Sequence, residues 1–245
     1  MSKELEENLR RYENNFGGIV SAQSTYTKYD LAVSGPNKRM STRCQGGDRF
    51  HLESTYGSMY AKYISHLLEK PIILFEVGIL KGTGLAVWNE IFRNKNTKIL
   101  GGDIDITNCL NNFEKIKHKG GFNNIEAINT DIHKVLKSRL SCFKFDQYDP
   151  NNKTYLKDIL EDKKIDVFID DGDHQDVPNI QCAESVLPFL HKNSIYFLED
   201  VKPIRVDSLV KEFYDLGMTL VDNTKYKDGR PGGVLVFKIT QQKEI

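Results

Sequence analysis

Residues 165–174, Ile-Asp-Val-Phe-Ile-Asp-Asp-Gly-Asp-His, close a short apolar run with carboxylates, a glycine and a histidine; Glu199-Asp200 close a second run, Ile195-Tyr-Phe-Leu. Strands of an open α/β sheet present their carboxyl ends to one crevice, so two neighbouring strands ending in acid bring several carboxylate oxygens together. A hard divalent cation such as Mg²⁺, which takes oxygen ligands, offsets their repulsion. Adjacent strand-end residues point opposite ways, so one of Asp170 and Asp171 faces the cation, and Asp171 is preferred. Asp170 also reads as a structural or helix-capping carboxylate. His174 reads either as a functional imidazole beside the ion or as a capping or solvent-facing histidine.

A second constellation precedes this one. Phe75-Glu-Val-Gly-Ile-Leu-Lys-Gly-Thr-Gly84 joins an apolar run to a helical pattern, with Gly78, Gly82 and Gly84 at spacings of four and two behind Glu76. This is neither GxGxxG nor a P-loop, since no GK[ST] follows. It lets backbone pass close to a ligand without forming a pyrophosphate cradle, or it serves tight packing alone. Further on, Gly101-Gly-Asp-Ile-Asp105 ends another run, where Asp103 is placed to accept both hydroxyls of a ribose.

The elements that must position these groups alternate. From residue 71 onward, strand candidates at 72–77, 98–102, 125–129, 166–169 and 195–198 are separated by helical patterns, the order of a parallel sheet with helices on both faces. Leu85, Trp88, Ile91 and Phe92 form one helical stripe, and Ala183, Val186, Leu187 and Leu190 another. Leu209, Val210, Phe213 and Leu216 mark a later helix. Runs at 219–222 and 234–239, joined by Asp228-Gly-Arg-Pro-Gly-Gly, predict an antiparallel edge hairpin. Residues 141–153 read as an irregular insert with a turn at Asp149-Pro150-Asn151-Asn152. Helices are expected near 4–14 and 56–68, with a polar arm or lid over 1–45 and one domain over 46–245. The predicted fold is a Rossmann-like, doubly wound, mostly parallel sheet with an antiparallel C-terminal edge hairpin and an N-terminal helical arm.

Composition narrows the function. The 245 residues carry 34 Lys and Arg against 34 Asp and Glu, so no positive field favours nucleic acid. Cys44, Cys109, Cys142 and Cys182 are widely spaced, without a CxxC pair, and suit a reducing cytoplasm. No signal-like apolar segment or bilayer-length run is present, so no membrane partner is expected.

Glu76-x-Gly78-x-x-x-Gly82-x-Gly84 with Asp103 resembles the S-adenosylmethionine site of class I methyltransferases. Asp170-Asp-Gly-Asp-His174 with Glu199-Asp200 resembles the metal-dependent sugar O-methyltransferases of macrolide pathways and their cephalosporin-hydroxylase-like relatives, over roughly residues 46–239. Asp173 stands where that family has Ser. Asp48-Arg49 and His51, followed by Tyr56 and Tyr60, are similar to the family's Asp-Lys, His and Tyr segment, with Arg in place of Lys. The resemblance implies that Asp171, Glu199 and Asp200 hold Mg²⁺ and that His174 is the general base. It also implies a cofactor site of Glu76, Gly78, Gly82, Gly84, Asp103 and Asp170, with Asp131 accepting from the adenine amino group. Tyr26, Tyr29, Tyr56 and Tyr60 either line an acceptor pocket or pack the arm. The expected activity is O-methylation of a sugar, nucleotide-sugar or glycosylated natural product, and the resemblance implies a homo-oligomer of unspecified number. Alternatives are a non-sugar acceptor (a catechol-like diol or phosphoramidate-type group) and a non-catalytic nucleotide-binding module. Unpaired buried carboxylates would be costly for the latter to keep. An NAD-dependent oxidoreductase should carry GxGxxG, which this chain lacks.

Overall fold

A computed structural model of the chain describes residues 2–17, 49–50, 56–224 and 233–240. Its centre is a seven-stranded sheet in the order β3-β2-β1-β4-β5-β7-β6. The strands are β1 (Ile73–Val77), β2 (Lys98–Asp103), β3 (Leu140–Lys144), β4 (Ile165–Asp170), β5 (Leu190–Val201), β6 (Met218–Asn223) and β7 (Gly233–Ile239). β3, β2, β1, β4 and β5 pair in parallel, while β7 runs antiparallel to both β5 and β6. The edge pairing is therefore the antiparallel one predicted. The connection 228–232 lies outside the described residues.

The chain winds outward from β1 through β2 to β3 and then returns to β4 on the other side of β1. That reversal opens a crevice beyond the carboxyl ends of β1 and β4, the place where open α/β sheets bind ligands. Both the glycine turn and the Asp170–His174 loop emerge there.

Helices cover both faces. On one side lie α1 (Ser2–Phe16), α2 (Tyr56–Ile64), α3 (Thr83–Ile91) and α4 (Thr107–His118). On the other lie α5 (Asn152–Leu160), α6 (Asp176–Val186) and α7 (Val206–Asp215). Period-two alternation divides the strand residues between the two cores. Leu74, Val167, Ile169, Ile195 and Phe197 face the first core, and Phe75, Val77, Phe168, Tyr196 and Leu198 the second. The charged N-terminal helix is docked rather than extended: Leu5, Leu9 and Phe16 form a buried stripe packed across α2 and α3. Each such apolar side chain contributes about 1.5–3 kcal/mol on burial. The remainder of the expected arm, 18–45, lies outside the described residues.

The third strand differs from the one predicted. Residues 125–129 make only an isolated parallel bridge, Asn129 with Ser141, and the strand paired to β2 is Leu140–Lys144, inside the segment read as an irregular insert. Its sequence, Leu-Ser-Cys-Phe-Lys, hides a strand because a serine interrupts the apolar run. Ser141 is fully buried but donates to the Val135 carbonyl at 3.2 Å and accepts from Asn129 Nδ2 at 3.0 Å, which removes the burial cost. The same insert continues into helix α5.

Gly78 lets the two loops at the crevice meet. Its φ is +86°, and a Cβ there would stand 1.9 Å from the Asp171 carbonyl oxygen. Asp171 N also donates to the Val77 carbonyl at 2.9 Å, fastening the loops together. Gly78→Ala should therefore destabilise the fold by about 3 kcal/mol or more in urea unfolding; a loss below about 1 kcal/mol would show that the loops need no such closeness.

Candidate active site

Strand parity decides which acids converge. Glu76 follows Leu74, Asp171 follows Ile169 and Glu199 follows Phe197 by two residues each, so all three lie on the face of the α1–α4 core. Arg49 meets them there. Its Nη2 donates to Glu76 Oε1 at 2.8 Å and to Asp171 Oδ2 at 2.8 Å, and its Nε donates to Glu199 Oε2 at 2.9 Å. The Arg49, Glu76 and Glu199 side chains are 6%, 3% and 2% exposed, so the pairing takes place almost out of water. Tyr60 from α2 donates its hydroxyl to Glu199, and Trp88 Nε1 from α3 donates to Glu76 Oε2 at 2.5 Å.

The electrostatics follow from burial and crowding. Burial pushes the Glu199 carboxyl up to about 7, against the opposing pull of Arg49 and Tyr60. Asp171 is raised well above the usual carboxylate range, by burial first and then by the Glu199 charge. Burial works against the Arg49 charge, yet Glu199 and Glu76 outweigh it and hold the guanidinium well above its ordinary value. Burial also raises the Tyr60 hydroxyl, which stays protonated and serves as a donor.

Toward the solvent stands a second group. His174 Nε2 is 4.0 Å from Asp171 Oδ1 and 3.9 Å from Asp200 Oδ2, and ligand atoms of these three residues all lie within 4.8 Å of one another. Tyr56 donates to Asp200 Oδ1 at 2.7 Å. Both His174 and Asp200 hold left-handed backbone, φ +48° and +52°, a conformation that costs non-glycine residues about 1–3 kcal/mol and collects at functional sites. The two carboxylates could hold a divalent ion, with the imidazole beside it. The oxygens of Glu199, the third ligand that the resemblance implies, accept from Arg49 and Tyr60.

A cavity of about 660 Å³ joins this group to the glycine turn, a size typical of small-molecule sites. Glu76, Gly78, Gly84, Asp103, Asp171, His174 and Asp200 all line it, as does Glu13 of α1. Gly82 is the left-handed N-cap of α3, φ +78°. A Cβ on Gly84 would meet Glu76 Oε1 at 2.6 Å and Arg49 Nη1 at 2.9 Å, so that glycine makes room for the ion pair. Asp103 Oδ2 accepts from Leu80 N at 2.9 Å and braces the turn from below.

Asp170 and Asp131 stand apart from the cavity lining. Asp170, fully buried on the opposite face, accepts from Gln147 Nε2 at 2.7 Å, Tyr196 OH at 3.0 Å and Asn179 Nδ2 at 3.3 Å. Burial raises its pKa, with those donors opposing. Asp131 caps a short 3₁₀ turn, accepting from His133 N at 3.0 Å and pairing with Lys134. The acid that lines the cavity after β3 is Asp146, followed by Gln147 and Tyr148. Gln147 Oε1 also accepts from Asp173 N at 2.8 Å, and Tyr148 donates to Asp173 Oδ2 at 2.6 Å. These residues were missed because their strand was. Tyr26, Tyr29, Cys44, Asp48 and His51 lie outside the described residues, while Cys109, Cys142 and Cys182 are buried free thiols.

No protein-family model matches the chain, and no curated protein matches it. Solved structures do. A putative rRNA-methylase from Clostridium thermocellum is similar at TM-score 0.53 and 13% identity, over 74% of this chain and 94% of that one. A ribosomal protein L11 methylase from Lactobacillus delbrueckii subsp. bulgaricus gives 0.52 and 12%, over 75% and 78%. The MycE methyltransferase of the mycinamycin biosynthetic pathway, in complex with Mg and SAH, gives 0.52 and 14%, over 80% of this chain and 53% of that one. The chain thus spans about half the length of MycE. The shared architecture is the Rossmann-like methyltransferase fold.

The buried acids leave a mark on stability. Glu199 is raised in the fold from 4.5 to about 7, so the folded state binds its proton more tightly than the unfolded state does. That contribution is present below about pH 4.5 and is lost as pH rises toward 7, with a slope of at most about 1.4 kcal/mol per pH unit. Asp171 shifts in the same sense. Urea unfolding from pH 5 to 7.5 should show a shallower decline for Glu199→Gln than for the natural chain; parallel curves would mean that Glu199 is ionised in the fold throughout.

Proposed function

We propose that the chain is an S-adenosylmethionine-dependent O-methyltransferase acting, with Mg²⁺, on a hydroxyl of a sugar, nucleotide-sugar or glycosylated natural product. One observation carries the reading: one cavity at the switch point is lined both by the glycine turn with Asp103 and by Asp171, His174 and Asp200. The fold likeness to methylases supports methyl transfer. The likeness to MycE, a structure containing Mg and SAH, supports the metal.

In this reading Gly78 and Gly84 let the donor lie close to backbone, while Gly82 turns the chain against Cys109, and Glu76 is fixed by Arg49 and Trp88. Asp103 accepts the ribose hydroxyls. Asp146, which lines the cavity, takes the adenine place foreseen for Asp131. Asp171 and Asp200 hold the ion, with Glu199 steadied by Arg49 and Tyr60. When bound, the ion lowers the pKa of an acceptor hydroxyl. His174 takes the hydroxyl proton at Nε2, which faces Asp171 and Asp200 at about 4 Å. The sulfonium is already a good leaving group, so alignment of oxygen, methyl and sulfur supplies much of the remaining acceleration.

Titration calorimetry with S-adenosylhomocysteine tests the donor site: binding is expected without metal, and Asp103→Ala should weaken it about tenfold. Absence of binding by the natural chain would discard methyl transfer. With labelled S-adenosylmethionine and a panel of sugars and nucleotide-sugars, EDTA should abolish transfer and Mg²⁺ restore it; full transfer in chelator would remove the ion and spare the donor site. His174→Ala should lower kcat by about 10²–10⁴-fold, and a near-normal rate would give the base role to another group.

A further inference from the structure

His174 has a left-handed backbone and an imidazole without the usual support. In most catalytic or metal-binding histidines one ring nitrogen is anchored by a carboxylate or carbonyl, which fixes the ring for the work of the other. Here Nδ1 is buried and has no hydrogen-bond partner among the described residues. Nε2 faces Asp171 and Asp200 at 3.9–4.0 Å, beyond hydrogen-bond reach. The position of the ring therefore depends on its main chain, which sits at φ +48° and needs something to hold it there.

We infer that Arg205 is the positioning residue for His174, an inference that rests on His174 acting as the base of the proposed reaction. Arg205 lies in the turn after β5, a few residues past Asp200. Its Nη1 donates to the His174 carbonyl, its Nε to Asp176, and its Nη2 to Asn179 Oδ1 at 3.1 Å. The Arg205 side chain is 13% exposed, so the guanidinium is largely withdrawn from solvent even though Asp176 is 46% exposed. One planar guanidinium thus engages three acceptors on the loop that carries His174 and on the first turn of α6, a geometry that the single ammonium of lysine does not reproduce.

The linkage reaches both sides of the site. Asn179, held by Arg205, donates to Asp170, which accepts from Gln147; Gln147 in turn accepts from the Asp173 main chain. The loop from Asp170 to His174 is therefore gripped by Gln147 at Asp173 N and by Arg205 at His174 O. Because Arg205 follows Asp200 closely in sequence, it also ties the β4 loop to the β5 loop. It acts from outside the cavity, whose lining does not include it.

The alternative is that Arg205 merely steadies the start of α6 through Asp176 and Asn179. A double-mutant cycle separates the two roles. Arg205→Ala should lower kcat about 10- to 100-fold, leave the dissociation constant of S-adenosylhomocysteine within about twofold, and change kcat less than about twofold further in a His174→Ala background. Arg205→Lys should recover only part of the loss. A second readout needs no acceptor: ¹H–¹⁵N spectra of the histidine rings, with His174 identified among the six histidines by its loss in His174→Ala, should show that resonance shifted or broadened in Arg205→Ala. An unchanged ring resonance, an equal kcat loss in the His174→Ala background, or a parallel fall in cofactor affinity and melting temperature would each overturn the inference. Failure of the natural chain to bind S-adenosylhomocysteine would sink the methyltransferase reading instead, and the ring spectra would still decide the role of Arg205.

Discussion

One guanidinium buried among three carboxylates is the constraint on which the crevice depends. Glu76 is the penultimate residue of β1, Asp171 follows β4 and Glu199 lies near the end of β5, and all three bond Arg49. Without that cation the acids would face one another in a medium that screens them poorly, and breaking a buried pair in this way costs about 3–5 kcal/mol. Much of the surrounding sequence can be understood as accommodation of the pair. Gly84 is small where Glu76 and Arg49 need the space. Trp88 and Tyr60 each spend a polar tip on one of the acids while their rings fill the first core and stand 5.6 Å and 5.9 Å from the guanidinium carbon. A residue preceding α2 in sequence therefore helps to fix the relative positions of three central strands.

How much of this was legible follows from the kind of signal each part carries. Buried parallel strands announce themselves as short apolar runs, so β1, β4 and β5 were visible along with the acids that end them. The edge hairpin was visible because turn residues separate its runs. β3 was not, since Ser141 breaks its apolar pattern and is satisfied by partners that only the fold supplies. Asp146 and Gln147 disappeared with it. Arg49 stands in a polar stretch without periodicity, and nothing local marks it as buried. Its role could have been approached from the other side: parity places Glu76, Asp171 and Glu199 on one face, and three buried acids on one face require a cation. The left-handed conformations of His174 and Asp200 had no compositional signal at all, because such backbone is ordinarily advertised by glycine.

The glycine turn shows why the packing reading and the ligand reading need not compete. Gly78 is required by the Asp171 carbonyl and Gly84 by the ion pair, so both have structural reasons independent of any ligand. Yet the same absence of side chains leaves both residues lining the cavity, with Asp103 bracing the turn from β2. A packing requirement has produced a surface of exposed backbone at the switch point, where a ligand can approach it closely.

Exposure grades the acids from inside to outside, and the grading separates their tasks. Glu76 and Glu199 are 3% and 2% exposed and are compensated by Arg49, whereas Asp171 is 26% and Asp200 52% exposed. A cation arriving from solvent meets the outer acids without first displacing the buried guanidinium, and only Asp171 belongs to both groups. Asp171 can therefore transmit the position of the inner network to anything bound outside it. The backbone strain is distributed in the same way: His174 and Asp200, both on the outer side, carry positive φ, while the inner acids keep ordinary strand geometry. The buried layer around Arg49 supplies the support from which the strained loops can be held, and both layers contribute to the cavity wall.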